Sequence, residues 1–176
     1  MLKILNNILS EHKINEIMEI VTSNMFAWYF TPHTVEKKDK LEKGTYEHFM
    51  FSHNIIVNKK TTSHIIGHLE ELIEPLPFKI ENISRAKLNF MPQYPVYKNK
   101  YKYNTPHIDS PEKHKVALIH LNDSDGPVYL FNKKLKVIKK INHEKGKVLM
   151  FNGDTIHTGS HPINTKYRIS ININYR

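Results

Sequence analysis

The run "YRISININY", residues 167–175, constrains the fold more than any other stretch of this 176-residue chain. Successive side chains of a strand point to opposite faces. Alternation therefore places Ile169, Ile171, Ile173 and Tyr175 on one side and Arg168, Ser170, Asn172 and Asn174 on the other. The apolar side asks for a second layer, most simply helices. The polar side carries an arginine, so the space it faces has to be wet or hold something polar.

The same period of two runs through the chain from about residue 85. "RAKLNFM", "KVALIHLN", "PVYLFN", "KLKVIKK", "KVLMFNG" and "TIHTGSH" are short β-type runs broken by Pro, Gly, Asn and Asp turns. With "NTPHID" and "YRISININY" they make about eight strands, a density that suggests a jelly-roll or double-stranded β-helix barrel, cupin-like in plan. The first half reads as helical. "SEHKINEIMEIVTS" spaces Ile14, Ile17, Met18 and Val21 as a helix behind Ser10, a natural N-cap. "TTSHIIGHLEELIEP" does the same with Ile65, Leu69, Leu72 and Ile73, and Pro75 stops it. The expectation is a mainly β chain with N-terminal helices packed outside (α+β). Residues 1–176 then form one domain, with 1–84 as a helical support region and 85–176 as the double-stranded β-helix core.

Absences narrow the chemistry. There is no cysteine, which excludes disulfides, thiolate metal sites and cysteine nucleophiles. Any metal has to be held by His, Asp, Glu or backbone oxygen. No apolar run approaches the ~20 residues of a membrane span, and "MLKILNNILSEHK" lacks the cleavage site of a signal peptide. A cytoplasmic protein with no membrane partner is expected. The net charge of +9 invites a nucleic-acid partner. The lysines are dispersed, however, and an abundance of Lys, Asn and Ile is what an A/T-rich coding sequence yields unselected.

The chain has twelve histidines and five aspartates, and one Asp follows two residues after a His: Asp109 after His107. On a strand, i and i+2 share a side, so the two can meet one ion while Ile108 faces away. His68 and Glu70 have the same spacing on a predicted helix, where such a pair diverges. A third ligand is expected from "GDTIHTGSHP", where His157, in mid-strand, is favoured over His161, which precedes Pro162. Two imidazoles and one carboxylate suit Fe(II) and leave coordination positions open. Arg168, one of three arginines against twenty-three lysines, lies on the polar face eleven residues after His157. A guanidinium there needs an anion, and a ligand carboxylate fits.

The set His107-x-Asp109, His157 and Arg168-x-Ser170 resembles the Fe(II)/2-oxoglutarate-dependent dioxygenases. "GKVLMFNGDTIHTGS" and "ALIHLNDSDG" are similar to the prolyl 4-hydroxylase branch, particularly its small phage-type members, over about residues 85 to 175. The resemblance implies iron held by the three ligands and 2-oxoglutarate gripped at its far carboxylate by Arg168 with Ser170. It also implies O2-dependent hydroxylation of a substrate C–H bond with release of succinate and CO2. The substrate would be a peptide or protein, with proline foremost, or a small molecule. His120 stands where that branch carries a tyrosine assisting the arginine, and an imidazole could donate the same hydrogen bond. "SDGP" replaces its usual Gly-Gly. Tyr97, Tyr101 and Tyr103 are counterparts of its ligand-contacting tyrosine, with Tyr97 preferred. Two other readings stand beside this one: a non-redox cupin-like metal protein, which would not need Arg168 inside the barrel, and a dioxygenase modifying nucleic acid.

Overall fold

The computed structural model describes residues 2–35, 48–94 and 103–176. Its strands are β1 (Leu2–Leu5), β2 (Tyr29–Thr31), β3 (Met50–Val57), β4 (Lys60–Thr61), β5 (Ile83–Pro92), β6 (Lys115–His120), β7 (Ser124–Phe131), β8 (Val137–His143), β9 (Val148–Asn152), β10 (His157–Gly159) and β11 (Tyr167–Tyr175), and its helices are α1 (Glu11–Val21) and α2 (Ile66–Ile73). The large sheet runs β1-β9-β6-β11-β5-β3-β2, with β4 on β3, and faces a three-stranded sheet in the order β10-β7-β8. The architecture is mainly β, with antiparallel sheets in the double-stranded β-helix arrangement expected from the strand density.

The alternation of β11 sorts the molecule into two cores. Ile169, Ile171, Ile173 and Tyr175 pack with Ile14, Ile17 and Val21 of α1 and Leu69, Leu72 and Ile73 of α2. Each buried isoleucine there contributes ~1.5–3 kcal/mol by leaving water. Between the sheets lies a smaller cluster of Val116, Leu118, Val128, Leu130, Ile141, Leu149 and Phe151. That cluster fills one end of the barrel and leaves the polar residues of β11 and β5 to line the other. Ser10 caps α1, its hydroxyl accepting from the Lys13 amide at 3.4 Å. Among the described residues no helix is long and apolar enough to cross a membrane.

Two expectations change. The helical support region over 1–84 holds the two helices but also β1 to β4, and it supplies both edges of the large sheet. β3 pairs with β5 from Phe51 opposite Phe90 to Val57 opposite Arg85, and a tight turn with positive φ at Asn58 and Lys59 returns the chain into β4. This partner lies some thirty residues downstream, out of reach of any local pattern. "NTPHID" forms no strand; its one bridge is His107 with His157. Pro106 and Pro111 on either side lack the N–H groups that a longer ladder needs.

Candidate metal centre and its cavity

The single bridge at His107 is what assembles the centre. The His107 amide donates to the His157 carbonyl at 3.0 Å and the His157 amide donates back at 2.9 Å. Residues paired in this way project their side chains to the same side, and the two rings sit 4.9 Å apart. Each ring is turned by its own chain: His107 Nδ1 lies 3.1 Å from the Thr105 carbonyl and His157 Nδ1 lies 3.0 Å from the Thr155 carbonyl. A carbonyl only accepts, so each Nδ1 carries the proton and each Nε2 presents a lone pair. Both Nε2 atoms are 3.9 Å from Asp109 Oδ1. The three ligand atoms lie within 4.8 Å of one another, and among the described residues they are the one His, Asp or Glu group of three close enough to share an ion.

The carboxylate is held in place from behind. Asn172 Nδ2 reaches Asp109 Oδ1 and Oδ2 at 3.3 and 3.1 Å, and Arg85 Nη2 stands 3.1 Å from Oδ1. Burial alone would raise the Asp109 pKa. His157, Arg85 and His107, with the Asn172 amide, outweigh it and keep the group well below the usual carboxylate range. Burial, reinforced by His157, pushes His107 down to about 4. A carboxylate beside an imidazole that stays neutral at physiological pH fits a divalent cation such as Fe(II) without prior proton loss.

These residues open onto a cavity of about 360 Å³ whose lining also includes Arg168, Ser170, Thr158 and Gly159. A larger depression of about 870 Å³ lies on the other side of Ile108, against His114, Tyr175 and Arg176, and holds none of the three ligand side chains. The chemistry and this larger depression therefore do not coincide. Arg168 is 2% exposed. Its Nε donates to His143 Nδ1 at 3.0 Å and its Nη1 approaches Met91 Sδ at 3.2 Å. Gly159 packs closely on the guanidinium: a Cβ there would stand 3.0 Å from Nη1. A planar cation in the cavity wall suits a carboxylate.

His143 received no role from sequence. Its Nδ1 accepts from Arg168, so its Nε2 carries the proton and donates to the Ile169 carbonyl at 3.2 Å. Burial, then His120 and Arg168, hold its pKa well below 6.5. The one available signal was alternation in "VIKKINH", which puts His143 on the buried side with Ile141. His120 pairs with Ser170 across β6 and β11, on the interior side as expected. It is fully buried and stacks on His143 at 3.8 Å, and it does not line the cavity. Its way to Arg168 is through His143. Tyr97 and Tyr101 fall outside the described residues, and Tyr103 packs between Tyr129 and Phe131. His161 turns away from the triad, with Nδ1 2.9 Å from the Pro92 carbonyl and its ring near His48.

No family model matches the sequence and no curated protein matches it. Solved structures do. A prolyl hydroxylase from Trichoplax adhaerens, in complex with a hypoxia inducible factor oxygen degradation domain peptide fragment, has a TM-score of 0.61 at 17% identity, over 99% of this chain and 82% of that one. A 2OG-Fe(II) oxygenase family oxidoreductase from Burkholderia pseudomallei has a TM-score of 0.65 at 12% identity, over 99% and 84%. A Pseudomonas putida prolyl-4-hydroxylase gives 0.59 at 11% identity, over 99% and 91%. At these identities the likeness is one of fold. The chain is built on the double-stranded β-helix shared by prolyl hydroxylases and other 2OG-Fe(II) oxygenases.

Proposed function

We propose that residues 1–176 act as one Fe(II)- and 2-oxoglutarate-dependent dioxygenase domain that hydroxylates a substrate C–H bond, with peptidyl proline as the leading substrate. The observation that carries this reading is a single cavity with the His107–Asp109–His157 group in one wall and the Arg168 guanidinium in another. A non-redox metal protein would not need the second feature. The likeness to prolyl hydroxylases supports the choice of substrate.

In this reading His107, Asp109 and His157 hold the iron, and Arg168 with Ser170 binds the far carboxylate of 2-oxoglutarate. Bound together, iron and cosubstrate supply the oxidising chemistry: O2 and 2-oxoglutarate are consumed, succinate and CO2 leave, and one oxygen atom enters the substrate. The chain's own residues bind, orient and exclude water. Asn172 and Arg85 keep both Asp109 oxygens directed, and the Thr105 and Thr155 carbonyls fix the two imidazole tautomers. Leu118, Val128 and Met50 supply apolar wall.

Anaerobic titration with Fe(II) and then 2-oxoglutarate tests the reading. The parent and His161→Ala should develop the visible charge-transfer band of a metal-bound 2-oxo acid, and His157→Ala should not. Iron binding with no response to 2-oxoglutarate would return the chain to the non-redox metal proteins. A His161→Ala variant that loses the metal while His157→Ala keeps it would overturn the ligand set.

A further inference from the structure

β5 runs beside β11 with Arg85 opposite Asn174, Lys87 opposite Asn172, Asn89 opposite Ser170 and Met91 opposite Arg168. Its alternate side chains, Arg85, Lys87, Asn89 and Met91, all line the metal cavity. One strand thus delivers two cations to the level of the iron ligands. Asn172, the neighbour of Lys87 across the ladder, is the residue that holds both oxygens of Asp109. Lys87 is half-buried, and no ion pair or hydrogen bond joins it to another of the described residues. Burial and Arg85 lower its pKa to about 8, against the opposing pull of Asp109. Arg85 is only partly satisfied: Nη2 meets Asp109, while Nε is buried with no hydrogen-bond partner.

A lysine held in a cavity without a counterion is costly unless an anion arrives. The described lining contains one carboxylate, Asp109, which already serves Arg85 and the metal group. Loading the centre does not remove the positive surplus of the described lining, because a divalent cation adds two charges and the 2-oxoglutarate dianion cancels no more than those two. We propose that Lys87 and Arg85 form a subsite for an anionic group, carboxylate or phosphate, carried by the substrate close to the carbon that is oxidised. This rests on the dioxygenase reading and narrows it: the proline ring or other oxidised group has an acidic group as near neighbour. A neutral side chain at position 87 would line the cavity equally well, so the charge itself is the specificity element.

The test uses protein loaded with Zn(II) and 2-oxoglutarate, which binds without turning over. Calorimetric titrations compare N-acetylproline with N-acetylprolinamide, and inorganic phosphate with no added anion. The acid should bind roughly ten-fold or more tightly than the amide, the value of a hydrogen bond to an ionised group. Competition by phosphate against the acid distinguishes the two anion chemistries. Lys87→Met, close in volume, should erase the preference while leaving the melting temperature and 2-oxoglutarate affinity within about two-fold of the parent, and Lys87→Gln should do the same. Equal binding of acid and amide, with phosphate silent, would overturn the proposal. So would a Lys87→Met variant that keeps the preference, or one that weakens 2-oxoglutarate ten-fold and spares the preference, since Lys87 would then serve the cosubstrate. Failure of the parent to bind 2-oxoglutarate refutes the dioxygenase reading instead, and the acid and amide are then compared on the Zn(II) protein alone.

Discussion

His143 does not itself line the cavity, yet it helps to fix the plane of Arg168 by accepting its Nε–H, and it is itself fixed by the Ile169 carbonyl and by stacking on His120. In the proposed enzyme it is a positioning residue. His143→Phe preserves the stacked ring and loses the acceptor. The guanidinium then loses one of the contacts that orient it, and 2-oxoglutarate should bind about ten-fold more weakly with Fe(II) affinity little changed. Paired titrations of metal and cosubstrate check this, and equal losses in both would mark a general structural role. The ligands were legible at this scale from residue type and spacing, but the strand expected to carry His107 and Asp109 is a single bridge at His107, and Asp109 lies in a bend. The Arg168–His143 contact was not legible. It joins positions 25 residues apart on strands of different sheets, and no local period encodes it.

At the scale of elements, β11 is central because both of its edges are paired and both of its faces are used. Ile171 is fully buried against the helix layer. Ile171→Ala should cost ~2–5 kcal/mol, since the surrounding β-sheet cannot collapse onto the vacated volume. Val137→Ala on β8, where Val137 is 44% exposed, should stay within ~0.5 kcal/mol. Urea unfolding of the two variants measures the contrast, and similar losses in both would refute this division of the faces. The two helices and β5 to β11 were readable from periodicity, with "NTPHID" read as one strand too many. β3 was not, because its residues became a strand only through pairing with β5 and β2.

For the whole molecule, acid sensitivity follows from the buried imidazoles outside the metal group. His161 is depressed to about 4 by burial and, more weakly, by Arg168, and His48 to about 4 by burial and His161. His120 and His143 lie well below 6.5, chiefly through burial. A lowered folded-state pKa means that the unfolded chain takes up protons first as pH falls. Stability is therefore fully present above about 6.5 and lost on going from 6.5 towards 4. For His161 alone that loss is on the order of 3 kcal/mol. Denaturant midpoints across this window should fall steeply, and less so in His161→Gln. A flat profile would mean these imidazoles are already protonated in the fold.

By itself the sequence determined what is repeated or local. Alternation in "YRISININY" decided which face meets the helices, and the helical spacing of Ile14, Ile17 and Val21 decided which face answers. These follow from fixed periods of backbone geometry, which need only neighbours in the chain. Tertiary structure alone decided the rest. It brought His157 beside His107 through two backbone hydrogen bonds, placed His143 behind Arg168, and put Lys87 at the level of Asp109 through the register of β5 on β11. Register is a relation between distant strands fixed by burial of a whole face at once, and only the folded chain carries that information.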